Sequence, residues 1–154
     1  MRMEFSQIIH CTPARLWPWL DDAERSKQWL RGLEEVEAIT PGPKRPGYET
    51  LLRIREGRKL SEYKRTLLEY EPERRFVMKV EGGCMRGVVL HEEYRLADLG
   101  DGSTRLDYTF SAEMKGWMRI FGPLFALFGR MQTKSFFKKL KALAEGEHAV
   151  GATT

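Results

Sequence analysis

Glu92 falls in phase with Val88, Leu90, Tyr94 and Leu96 in a segment that alternates with period two. It therefore shares the apolar face of a strand. A carboxylate in an apolar interior is held toward its neutral form and can serve as an acid, a base or a polar anchor. Tyr108 and Tyr63 are the other groups able to assist proton transfer beside it. The plainer arrangement for Glu92 is an ion pair with an Arg or Lys of the next strand, or a bulge that turns it outward.

The remaining reactive side chains form no constellation. His10 and Cys11 are adjacent on a strand or its end, so they face opposite ways. His91 is out of phase with the apolar set and His148 lies near the C-terminus. Cys-x-x-Cys and His-Glu-x-x-His spacings are missing, as are a Gly-x-Ser-x-Gly elbow, a phosphate loop and a dinucleotide fingerprint. No metal and no cofactor is expected, and Cys11 with Cys84 do not make a disulfide framework.

These side chains must be positioned by elements that the punctuation marks out. Met3 to His10 reads as a strand. Thr12-Pro13 starts a short helix carrying Leu16, Trp17 and Leu20, with Thr as cap and Pro in the first turn. Asp22 caps a second helix that carries Trp29 and ends near Gly32. Strands follow over 34–40, 48–56, 59–70, 74–81, 86–97 and 104–115, separated by Gly- and Pro-rich turns. In the 59–70 strand, Leu60, Thr66, Leu68 and Tyr70 share one face with Glu62 and Lys64, and Tyr63 and Leu67 share the other with Arg65. A bulge that switches register midway would reconcile them. From Trp117 to Ala144, apolar residues recur at three- and four-residue spacing, which predicts a long amphipathic helix.

The composition excludes several classes. The 154 residues are 42% hydrophobic and 31% charged, as in a folded globular domain with a core. The net charge is +4, but Lys and Arg are interleaved with Glu, so nucleic-acid binding is not expected. The N-terminal ten residues lack the apolar run of a signal peptide, and Ile120 to Gly129 falls short of the ~20 residues of a membrane span. A cytoplasmic protein is expected. One domain over 1–146 and a flexible tail over 147–154 are expected as well.

Four stretches carry a resemblance. They are Pro13 with Leu16-Trp17 and Trp29; Glu69 to Phe76, Glu-Tyr-Glu-Pro-Glu-Arg-Arg-Phe; Gly102-Ser103-Thr104-Arg105-Leu106; and Gly122-Pro123-Leu124 ahead of a helix ending in Leu-Lys repeats. Together they resemble the START-like, polyketide cyclase/dehydrase and lipid transport (SRPBCC) superfamily, over nearly the whole chain. The motifs mark turns and core rather than chemistry. The resemblance implies an α+β helix-grip fold: a curved antiparallel sheet of about six to seven strands around a long C-terminal helix, with two short helices after the first strand. It also implies an apolar ligand held in a cavity.

Periodicity alone marks the inward residues as core; the resemblance makes them a cavity wall. The expected lining is Leu52, Ile54, Phe76, Met78, Leu90, Glu92, Tyr94, Tyr108 and Phe110 from the sheet, with Leu124, Phe128 and Met131 from the helix. Three functions compete. The first is binding or transport of a hydrophobic small molecule such as a lipid, isoprenoid or polyketide-like compound. The second is a cyclase or aromatase acting on a polyketide-like substrate. The third is a protein-interaction module of the chaperone-activator kind. Two or more inward titratable groups within hydrogen-bond reach favour the enzyme, and a pocket packed solid favours the interaction module. Residues 117–129 hold more apolar side chains than one buried face accepts, with Ile120 and Leu127 opposite the Phe121–Phe125 stripe, so this segment is expected at the cavity entrance and in contact with membranes.

Overall fold

The period-two segments form seven strands and the helical spacing one long helix in the computed structural model, which describes residues 2–83, 87–114 and 116–153. The strands are β1 (Arg2–Ile9), β2 (Leu33–Ala38), β3 (Glu49–Glu56), β4 (Lys59–Glu71), β5 (Arg75–Gly82), β6 (Val88–Asp98) and β7 (Thr104–Met114). The helices are α1 (Pro13–Asp21), α2 (Ala23–Ser26) and α3 (Gly122–Thr153), with a 3₁₀ helix over Gly116–Phe121 before α3. Cys84 lies outside the described residues, as do the side chains of Phe125 and His148.

One antiparallel sheet runs in the order β1-β7-β6-β5-β4-β3-β2. Strands β2 to β7 follow one another as hairpins, and β1 closes onto β7, so the α1–α2 segment carries the chain from one edge of the sheet to the other. Tight packing fixes that segment. Leu16, Trp17, Trp19, Leu20 and Trp29 are all buried. The Trp29 indole Nε1 donates to the Trp19 carbonyl at 2.7 Å, which satisfies the polar edge of a ring that is otherwise in the core. Helix α2 is a single turn, ending before the Gly32 limit read from the sequence, and Trp29 stands in the turn after it.

The two faces of the sheet divide the charge from the core. Outward, Arg53 pairs with Glu35, Glu37 and Glu62, and Arg75 pairs with Glu69 and Glu93. Exposed pairs of this kind contribute little individually. Inward, β4 resolves its ambiguity through a register shift between Leu67 and Glu69. Tyr63 and Leu67 are buried with Arg65 between them, whereas Leu60 and Leu68 are exposed.

Helix α3 meets the sheet along a line rotated away from the expected Leu124, Phe128 and Met131. Leu124, Phe128, Met131 and Ser135 are exposed. The buried line is Phe137, Leu140 and Ala144, continued backward by half-buried Thr133, Gly129 and Ala126. Phe136 and Phe137 are neighbours about 100° apart around the helix, and Phe136 is partly buried against the core while Phe137 is fully enclosed. Phe137 wins because it stacks on Phe5 at 5.0 Å and on Trp29 at 5.7 Å, and meets Tyr108 edge-on at 4.9 Å. The Gln7 amide further ties β1 to the Phe137 carbonyl at 3.1 Å. Past Ala144 the helix runs on to Thr153.

Candidate binding site

Small side chains on the inward line of α3 leave room under its N-terminal half. A pocket of about 420 Å³ lies there, between the sheet, the Trp29–Leu33 segment and α3 at Phe128–Phe137. Its volume falls within the ~300–1,000 Å³ of small-molecule sites. Two apolar clusters wall it. One holds Met3, Trp29, Met78, Tyr94, Tyr108 and Phe137; the other holds Leu33, Leu52, Tyr63 and Val80.

Of the residues expected to line a cavity, Leu52, Ile54, Met78, Leu90, Glu92, Tyr94, Tyr108, Phe110 and Phe128 do border this pocket. Three expected residues do not. Phe76 is buried deeper, stacked on Tyr94 at 4.6 Å and edge-on to Trp17 at 5.5 Å. Leu124 and Met131 are corrected by the rotation of α3, which turns them to solvent at 53% and 63% exposure. Gln132 and Thr133 take their place on the wall.

Glu92 points inward. In register it faces Met78 of β5 and Phe110 of β7, and the Tyr108 hydroxyl donates to its Oε1 at 2.7 Å. Burial pushes the Glu92 carboxyl above its ordinary value, against the Tyr108 hydrogen bond and the Arg65 charge, which favour the anion. Burial, aided by the nearby Glu92, raises Tyr108 and Tyr94 well above ordinary phenols. Both rings therefore stay protonated at neutral pH, and the Tyr108 hydroxyl acts as a donor.

Arg65 is absent from the lining expected from the sequence. It borders the same pocket from β4, two strands from Glu92. Desolvation by burial opposes its charge, and Glu92 is the largest influence that restores it. A guanidinium nonetheless remains protonated in proteins. Among the described residues Arg65 makes no ion pair, and its buried Nε has no hydrogen-bond partner. The signal was its phase with Tyr63 and Leu67, which the face ambiguity of β4 concealed. A second carboxylate, Glu56, borders the pocket near its β3 end and accepts hydrogen bonds from the Tyr63 hydroxyl and, at 2.8 Å, from the Ser61 hydroxyl. It stands at the end of β3, where alternation gives no warning of an inward carboxylate.

No group of three His, Cys, Asp or Glu among the described residues is placed to hold a metal ion. His91 lies on the opposite face of the sheet, in register with Lys79 and Ser111.

Residues 1–145 match the polyketide cyclase/dehydrase and lipid transport family. The chain belongs to that family. Among curated proteins none is similar in sequence. Solved structures of the same fold include a conserved protein of Geobacillus kaustophilus, 20% identical, with a TM-score of 0.74 over 94% of this chain and 95% of that one. The Zhui aromatase/cyclase of Streptomyces sp. R1128 is 15% identical, with a TM-score of 0.73 over 94% and 93%. A Thalictrum flavum norcoclaurine synthase mutant, bound to a transition-state analogue, is 16% identical, with a TM-score of 0.67 over 96% of both chains. Such identities speak for the fold. The polar groups that this chain brings to the pocket include Arg65, Glu92 and Tyr108 at the sheet, and Glu56 with Tyr63 near the end of β3.

Proposed function

We propose that this protein binds a largely apolar small molecule that carries one anionic or hydrogen-bond-accepting group, with that group set against Arg65. The observation that carries the reading is the buried, unpartnered Arg65 Nε beside a largely apolar pocket. A buried donor without a partner is costly, and a ligand oxygen would remove the cost. The apolar walls would supply affinity and the guanidinium the orientation. Native mass spectrometry of the purified protein tests this. The reading predicts a one-to-one complex with a small molecule, lost on denaturation; protein that remains bare when offered apolar acids would contradict it.

A second reading is favoured by one geometric fact. Glu92 and Tyr108 are inward titratable groups joined at 2.7 Å, as proton transfer on a bound carbonyl compound requires. On this reading Glu92→Gln binds ligand as wild type does but turns nothing over. The open pocket speaks against the interaction module, which needs none.

A further inference from the structure

We propose that the outward face of the 3₁₀ helix and the first turns of α3 docks on an anionic lipid surface. Exposed apolar side chains gather here as nowhere else among the described residues. Trp117, Ile120, Leu124, Leu127, Phe128 and Met131 are each more than half exposed, with Trp117 at 71% and Ile120 at 78%. Three- and four-residue spacing puts Leu124, Leu127, Phe128 and Met131 on one side of α3, and exposed Lys134 and Lys138 continue that side. A contiguous apolar face of this kind is unusual on a soluble monomer and marks an interaction surface.

Charge identifies the occupant. Between Glu113 and Glu145 the sequence has no Asp or Glu, but it has Lys115, Arg119, Arg130, Lys134, Lys138, Lys139 and Lys141. The chain holds 26 Lys and Arg against 22 Asp and Glu, so these seven cations exceed its whole surplus of four and leave the remainder net acidic by three. The net positive charge of the chain therefore comes from the stretch of sequence that also exposes the apolar side chains. Apolar side chains interleaved along the chain with cations match the interface of an anionic bilayer, where the rings and aliphatic groups enter the headgroup boundary and the cations stay at the phosphates. Phe128 and Gly129 border the pocket as well as this face. Resting on the ligand reading above, the same docking would open the pocket toward the lipid, and a membrane-dissolved molecule could enter without crossing water.

Vesicle co-sedimentation of the full chain tests the proposal. Wild type should pellet with phosphatidylserine-containing vesicles at low salt and remain in the supernatant with phosphatidylcholine alone. Ile120→Ser with Leu127→Ser should weaken partition at least tenfold with an unchanged melting curve, since both side chains are exposed. Lys134→Gln and Lys138→Gln should each cost about fivefold, the equivalent of about 1 kcal/mol per cation at the surface. Wild type that ignores anionic vesicles at low salt would overturn the proposal. So would a chain that elutes as a dimer and becomes monomeric in the double serine variant, because a second copy would then cover the face. Binding of an apolar fluorophore without vesicles separates the two readings: vesicle binding lost with probe binding kept removes the docking alone, and the converse removes the ligand reading alone.

Discussion

The two halves of α3 are built from similar residues and do opposite things. Both carry phenylalanines and leucines. From the midpoint of the helix onward, Phe137, Leu140 and Ala144 are sealed into the core cluster with Phe5, Trp29, Tyr94 and Tyr108. In the N-terminal half, Leu124, Leu127, Phe128 and Met131 face outward, while Ala126, Gly129 and Thr133 face in. The difference lies in which residues occupy the inward line. Large side chains there fill the core, and small ones leave a pocket beneath the helix and send its apolar surface to the outside. Stability is thus concentrated at one end of the helix, and the opportunity for binding at the other.

The largest effect is expected at Phe137. Phe137→Ala should cost about 3–5 kcal/mol in equilibrium denaturation, as truncation of a fully buried aromatic does. Trp29→Ala belongs to the same range and also removes the indole donor to the Trp19 carbonyl, which keeps the Ser26 hydroxyl. The same truncation at Phe128, on the other half of the helix, should shift stability by less than about 0.5 kcal/mol. Equal losses at Phe137 and Phe128 would erase the distinction between the halves.

An intermediate effect is expected at Gly83, beside the pocket. Its φ is +65°, and an added Cβ would overlap the Tyr63 ring. Gly83→Ala should therefore cost about 1–3 kcal/mol in thermal or chemical denaturation. It should also displace Tyr63, and with it the Glu56 hydrogen bond, so ligand binding would fall along with stability.

Glu92 gives a smaller effect that depends on pH. Its folded-state value is raised, so the unfolded chain releases this proton first, near the ordinary value of about 4.3. Stability contributed by the protonated form is complete below that pH and is lost as pH rises through the folded value. Glu92→Gln removes this loss. The stability of the variant relative to wild type should climb as pH is raised from about 4 toward neutrality, followed by denaturation at a series of pH values. A constant difference would place the carboxylate in water.

Legibility in the sequence followed the strength of local constraint. The order of strands, the Thr12-Pro13 helix start and the burial of Trp17 and Trp29 were readable, because turns and caps are set by neighbouring residues. The phase of Glu92 with the apolar residues of β6 was readable for the same reason, while an ion pair or an outward bulge stood as the plainer expectation for its side chain. The rotation of α3 was not. Adjacent Phe136 and Phe137 give periodicity two equally good phases, and tertiary packing on Phe5 and Tyr108 decides between them. Leu124 and Met131 were misplaced with it. Arg65 was obscured by the β4 bulge, and Glu56 by its place at a strand end.

The central claim is that the pocket takes an apolar molecule whose polar group meets Arg65. Titration with anilinonaphthalene sulfonate, an apolar anion, and with a neutral naphthalene fluorophore of similar size tests it most directly. Wild type should bind both with one-to-one stoichiometry. Arg65→Met should weaken the anion at least tenfold, matching the ~1.5–3 kcal/mol of a charged hydrogen bond, and leave the neutral probe within about twofold. Equal affinity of wild type and Arg65→Met for the anion, or failure of wild type to bind either probe, would contradict the account.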